Sequence, residues 1–259
     1  ERNTMSLNNN PFINGPKYKY GAVPFNDIKL EHFIPALDHA ISEAEATLEL
    51  VKNNPESPTF DNTAIPMESC TELMETVANT YYNLMSADSD NKFKELAQKI
   101  SPQLSAFKNK VLLNDKLFKR VKILYENRDK DSLTPEQKRL IEENYKDFIL
   151  NGAMLNDADK EKIRKIDEEL SKLSPKFSQN TLNAINDFTY HTNDEAEIAG
   201  LPDIVKAQAA ETAKKKNKSS GWTFTLQMPS FFPVMEYADN RPLRATLHKA
   251  RSKVSFGGK

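Results

Sequence analysis

The stretch IKLEHFIPALDHAISEAEATLELVKNNP, from Ile28 to Pro55, decides the fold class. Phe33, Ile34, Leu37, Ile41, Ala44, Leu48 and Val51 fall on one stripe of an α-helix, with charged residues filling the other positions. Asn53-Asn54-Pro55 stops the run, since a proline ring clashes with the preceding turn and brings no N–H. A helix of this length with one apolar stripe needs other helices to cover it.

The same period repeats downstream. Met67, Cys70, Leu73, Met74, Val77, Tyr81 and Leu84 form a second stripe after the loop at 55–62, with Pro66 near its start. Phe93, Leu96, Ala97, Ile100, Leu104, Phe107 and Val111 form a third, which Pro102 is expected to kink or break near Ile100. Asn114 reads as the N-cap of a helix with Leu117, Phe118, Val121, Leu124 and Tyr125. Thr134-Pro135-Glu136-Gln137 has the capping-box pattern, with Thr at the cap, Pro at the first helical position and Gln at the third. That helix carries Leu140, Ile141, Phe148 and Ile149 and closes at Gly152.

Asn156 caps a helix whose Ile163, Ile166, Leu170, Leu173 and Phe177 step by 3, 4, 3 and 4. This is the seam of a helix packed lengthwise on a neighbour, with a bend expected at Pro175. Residues 188–192 and 222–226 are short β-branched and aromatic runs that read as strands. Between them a helix over 203–213 ends in a Lys-rich loop, Lys214 to Gly221. Pro229 and Pro233 bracket a mixed segment, and Asn240 caps a last helix with Leu243 and Leu247. Ahead of everything, residues 1–27 are rich in Asn, Gly and Pro and read as an extended arm. The expected architecture is mainly α: a multi-helix bundle over residues 28–259 with a small β element near its C-terminal end.

Composition narrows the function classes. With 36 Lys+Arg against 37 Asp+Glu the formal net charge is −1, without the basic excess that phosphate-driven binding of nucleic acid requires. The seven glycines include none between Gly21 and Gly152, so no Gly-rich phosphate loop or dinucleotide fingerprint is present. No apolar run approaches the roughly 18 residues of a membrane span. The single Cys70 excludes an internal disulfide; its place among Met67, Leu73 and Met74 reads as a buried structural thiol. The chain begins at Glu1 rather than Met, which leaves the compartment open between periplasm and cytoplasm with a lean toward export.

Searching for chemistry yields no assembly. The four histidines are His32, His39, His191 and His248, and no two are four residues apart, as a zinc peptidase helix requires. No Glu lies three residues before any of them, which excludes the repeated Glu-x-x-His of a di-metal bundle. Acidic pairs such as Glu142-Glu143 and Glu168-Glu169 read as solvated helix faces, with Glu161/Lys165 and Glu168/Lys172 at helical i,i+4 spacing. Lys214, Lys215, Lys216 and Lys218 lack interleaved aromatics and read as a loop. No catalytic or metal-ligating residue is therefore assigned, and the substrate-binding residues stay unknown.

The order of motifs is more informative than any one of them. Asn10-Pro11-Phe12, the run from Pro24 to Leu37, and Pro58-Thr59-Phe60-Asp61-Asn62-Thr63 resemble the start of the thimet-oligopeptidase family of zinc metallopeptidases. Tyr82 to Ala87, Ile100 to Ser105, Leu133 to Gln137, Ile166 to Ser171, Trp222 to Gln227 and Tyr237 to Arg244 continue that resemblance in order. It is similar above all to the peptidyl-dipeptidase (dipeptidyl carboxypeptidase) branch, with oligopeptidase A next. The resemblance implies a neurolysin-like helical N-terminal half, one wall of a deep channel that admits short unfolded peptides. It also implies a parent enzyme with zinc, whose His-Glu-x-x-His helix and third ligand lie C-terminal of residue 259, so that this chain alone is inactive. The missing catalytic domain is then the expected partner. The aromatic arm (Phe12, Tyr18, Tyr20, Phe25) and tail (Phe231, Phe232, Tyr237, Phe256) are expected to face it and to promote weak self-association. A stand-alone helical interaction module, or a scaffold pairing through the 163–177 seam, is the other reading.

Overall fold

The opening stretch folds into α1, Leu30–Asn53, in the computed structural model, which describes residues 7, 9–15, 19–87, 90–130 and 132–256. Two compact units emerge, Glu1–Lys172 and Leu173–Lys259, where the sequence reads 28–259 as one domain. Phe33, Ala36, Leu37, Ala40, Ala44, Leu48 and Val51 form the buried face of α1. Ile34 and Ile41 are only half-buried, because at about 100° per residue they fall at the edge of that face.

In the first unit the expected second helix is two. A wide turn at Phe60–Ala64 leads into α2, Ile65–Ser69, and α3 follows as Glu72–Ala87. Pro66 sits in the first turn of α2, and the Thr71 hydroxyl bonds the Glu68 carbonyl (3.0 Å) at the break. The third stripe becomes α4, Asn91–Leu112, one helix that continues through Pro102, so of the expected kink or break the break does not occur. Ile100 and Phe107 are buried on either side of that proline, so packing of both turns outweighs one lost backbone bond. Helix α5 is Asp115–Asn127, with Asn114 Oδ1 accepting from the Lys116 and Leu117 N–H groups.

Helix α6, Pro135–Leu150, starts as read: Thr134 Oγ1 accepts from the Gln137 N–H, and Gln137 Oε1 accepts from the Thr134 N–H. It closes at Gly152, whose φ of +97° suits a residue without Cβ. Thr134→Ala is expected to cost about 1 kcal/mol, read as a lower denaturation midpoint at unchanged slope. An unmoved midpoint would contradict the cap.

Aromatic rings hold the centre of this unit. Phe33 meets Phe12, Tyr81 and Phe93 at 5.3, 5.4 and 5.6 Å between centroids, and Tyr81 stacks on Phe93 at 5.0 Å. Part of the arm is therefore already committed. Asn10 is fully buried, caps the single helical turn Pro11–Asn14, and donates to the His32 carbonyl at 2.8 Å.

Helix α7, Asp157–Asp187, is longer than the sequence suggests and contains Pro175. Asn156 caps it, accepting from the Asp159 N–H at 3.0 Å. The expected lengthwise packing of its seam does not occur. In the first unit Lys160 is buried and Ile163, Asp167 and Ser171 are half-buried, while Ile166 and Leu170 stay about half exposed. Leu173 and Phe177, in the second unit, are equally exposed. The helix is anchored by its polar side instead, since Lys160 pairs with Asp115 and Ser105 Oγ donates to the Asp167 carbonyl.

The second unit holds the β element. Strands β1, Thr189–Thr192, and β2, Trp222–Thr225, pair antiparallel with Thr189 opposite Thr225 and Thr192 opposite Trp222. Helices α8, Asp203–Lys215, α9, Met228–Tyr237, and α10, Arg241–Ser252, supply the rest of a core centred on Phe224, Leu226, Val234, Leu243 and Leu247. Two readings need correction. Lys214 and Lys215 end α8 rather than opening a loop, and the chain turns at Asn217 with φ +59°. The segment bracketed by Pro229 and Pro233 is α9, because Pro229 fits its first turn and burial of Phe231 and Val234 outweighs the bond lost at Pro233. Of the four tail aromatics only Phe231 is buried, while Phe232, Tyr237 and Phe256 are exposed; in the arm Tyr20 and Phe25 are exposed, and Tyr18 lies outside the described residues.

Candidate functional site

The most concentrated polar assembly lies around Arg120. Spaced three residues after Leu117 and four before Leu124, it is carried on the inward face of α5 and is 7% exposed. Its Nη1 donates to the carbonyls of Asn54 (2.9 Å) and Glu56 (3.1 Å). Nη2 donates to Asn62 Oδ1 (2.9 Å) and Thr63 Oγ1 (3.0 Å), and Nε also reaches Thr63 Oγ1 (3.2 Å). The family-like string at 58–63 thus serves to hold one guanidinium. Burial lowers its pKa, Glu56 opposes that shift, and every nitrogen has a partner, so no donor remains for a ligand. Sequence reading missed Arg120; a charged residue on the apolar side of a short helix was the available signal.

Other signature residues have similar duties. Tyr82 and Ser101 share a hydrogen bond of 2.8 Å, Gln103 Nε2 donates to Asp38 at 3.0 Å, and Asn240 Oδ1 caps α10 through the Leu243 N–H at 2.8 Å. Gly200, at φ +83°, lies where a Cβ would fall 2.3 Å from the Tyr237 carbonyl oxygen, so this turn requires glycine. These are architectural contacts.

Tyr81 offers a pH handle. Burial, helped by Tyr82, pushes its phenol above the ordinary value, and the hydroxyl donates to the Phe93 carbonyl at 2.6 Å. In the unfolded chain the group loses its proton near pH 10, whereas the folded chain keeps it, so the unfolded state binds fewer protons above that pH. Stability is expected to be complete below pH 10 and to fall by up to about 1.4 kcal/mol per pH unit as pH rises beyond it. Denaturant melts from about pH 9 to pH 11 check this, with a shallower slope expected for Tyr81→Phe. Identical slopes would contradict it.

The histidines are dispersed. His32 Nδ1 accepts from the Lys29 N–H at the start of α1, and His39 Nε2 lies 3.4 Å from Glu43 Oε1 one turn along. His191 Nδ1 is 2.9 Å from Thr223 Oγ1 across the two strands, and His248 is exposed on α10. Cys70 is half-buried rather than buried; its thiol donates to the Met67 carbonyl (3.3 Å), and burial raises its pKa. Among the described residues no group of three or more His, Cys, Asp or Glu side chains could hold a metal ion. The described residues therefore do not fit a zinc site.

A shallow groove between α1, α4 and the start of α5 has an apolar floor of Leu48, Phe107, Val111 and Leu117. Its rim carries the ion pairs Lys110–Glu45 (2.7 Å) and Lys52–Glu49; the bond from Lys52 holds the Glu49 carboxyl below its usual range. The rim charges are matched, and the groove is far too small for a small-molecule pocket. No helix among the described residues is long and apolar enough to cross a membrane.

Comparison with known proteins gives a consistent result. Residues 30–160, half of the chain, match the family model for the neurolysin/thimet oligopeptidase N-terminal domain. Dipeptidyl carboxypeptidase of Escherichia coli is 30% identical over 92% of this chain and 35% of its own length. Oligopeptidase A of Haemophilus influenzae is 30% identical over 95% of the chain and 35% of its own length. The probable cytosolic oligopeptidase A of Arabidopsis thaliana is 28% identical, covering 97% and 36%. The chain thus spans about a third of the length of these relatives. Their names give no support to the lean toward export.

Proposed function

The chain belongs to the neurolysin/thimet oligopeptidase family, and from that premise we propose that it is the non-catalytic helical wall of a zinc peptidase that hydrolyses short peptides. The supporting observation is where its signature residues sit. From Asn62 and Thr63 on Arg120 to Asn240 on α10, they cap and clamp the backbone rather than converge on a reacting atom.

In this reading the helices shape one side of a channel that admits unfolded peptides, and release of C-terminal dipeptides is the expected outcome. The zinc, and the residues that hold it, belong to a separate catalytic part, which is the wall's partner. The chain alone is expected to bind no stoichiometric zinc at neutral pH and to leave a quenched-fluorescent peptide intact. Calorimetric titration with zinc and the peptide assay test both. Single-site binding at about micromolar affinity or tighter would overturn the assignment of a non-catalytic wall. A stand-alone interaction module is the second reading, favoured by the exposed stripe on α7.

A further inference from the structure

The near-zero net charge of the chain hides a local imbalance. From Arg241 to Lys259 there are six Lys or Arg and no Asp or Glu. Helix α10 turns Leu243 and Leu247 into the core, so its charges stand on the outer flanks. At about 100° per residue Arg241, Arg244, His248 and Arg251 lie within about 80° of one another, one continuous stripe along α10. Among the described residues none of the four makes an ion pair. Two of them are fixed rather than loose. Arg244 Nη1 donates to the Ala238 carbonyl, and Arg251 Nη1 donates to the Leu226 carbonyl at 3.0 Å. Each anchored guanidinium keeps N–H groups for a carboxylate, and a fork already held in place loses little freedom on binding. Arg251 Nη2 also lies 3.8 Å from the Met228 sulfur, and Met228 and Phe232, one turn apart on α9, are 49% and 55% exposed. The stripe thus ends on an apolar step. The Cα atoms of Arg244 and Arg251 are about 10 Å apart along the helix, the length of three residues of extended chain. A strand of nucleic acid would call for aromatic rings among the cations, and α10 has none, whereas a peptide brings apolar side chains along with its carboxylates. We propose that this flank of α10, with Met228 and Phe232 of α9, binds an extended peptide whose acidic side chains stand three residues apart, beside an apolar one. The site lies wholly within the second unit and holds whether or not the chain serves a zinc peptidase.

Fluorescence anisotropy of the whole chain reads the site with a labelled, end-blocked peptide of about 12 residues, glutamate at every third position and one terminal phenylalanine. The expected dissociation constant is on the order of 50 µM at about 50 mM salt, weakened about tenfold at about 300 mM, where surface charges are screened. Arg241→Glu, at an exposed position, is expected to weaken binding about tenfold with circular dichroism unchanged. Lys215→Glu, the same reversal at an exposed position of α8, is expected to leave binding within about twofold. Phe232→Ser is expected to weaken it about threefold at unchanged salt dependence, which separates the apolar step from the charge. The lysine counterpart of the peptide, and a thymidylate oligonucleotide of the same charge as the glutamate peptide, are expected to bind about tenfold more weakly or less. No saturation by the glutamate peptide up to about 1 mM, equal losses from Arg241→Glu and Lys215→Glu, or an oligonucleotide bound as tightly as the peptide would each overturn the proposal.

Discussion

Arg120→Leu is expected to lower stability by about 3 kcal/mol or more, among the largest effects of any single change in the chain. The guanidinium makes five hydrogen bonds to four groups, and two of its acceptors are backbone carbonyls of the 54–56 turn. Leucine fills part of the volume but leaves the Asn54 and Glu56 carbonyls and the Thr63 hydroxyl without their donor. Of these Thr63 is fully buried, where an orphan costs about 1–3 kcal/mol, while Asn54 is half-buried and Glu56 exposed. Arg120→Lys is expected to recover little, because one ammonium cannot span the fork. Denaturant melts give the magnitude, and hydrogen exchange in residues 54–64 gives the location. Unchanged protection there would show that the turn is held by its own Thr59–Asn62 capping contacts instead.

Phe33→Ala is expected to cost about 3–5 kcal/mol. The ring is fully buried and touches three other rings drawn from the arm, α3 and α4. Those rings are themselves fixed, Tyr81 by its bond to the Phe93 carbonyl, so collapse into the cavity is limited. Leu50→Ala on the same helix is the control: its side chain is 76% exposed, and the change is expected to stay within about 0.5 kcal/mol. Equal effects at the two positions would contradict the assigned face of α1.

Local signals were legible in the sequence. The α6 capping box, the Asn114, Asn156 and Asn240 caps and the Gly152 stop depend on a few adjacent residues, and all occur. Both strands were legible because β-branched and aromatic residues cluster there. What failed depended on tertiary context. Whether Pro102 or Pro233 breaks a helix is decided by what the neighbouring turns bury, and sequence spacing does not report that. The 163–177 seam has the right period, but Lys160 and Asp167 turn the helix the other way. Arg120 escaped because its acceptors lie about 60 residues earlier in the chain. The empty catalytic list came from histidine spacing, the missing Glu-x-x-His repeat and the settings of the acidic pairs, Cys70 and the Lys214–Lys218 run.

The central claim is that this helical chain serves a catalytic part it does not itself contain. Sequencing the coding frame through and beyond the Lys259 codon tests that most directly. The account predicts an in-frame His-Glu-x-x-His with a further Glu downstream, in a product that cleaves short peptides and loses that activity to a zinc chelator. A stop codon directly after Lys259, or a long in-frame continuation without that motif, would contradict it.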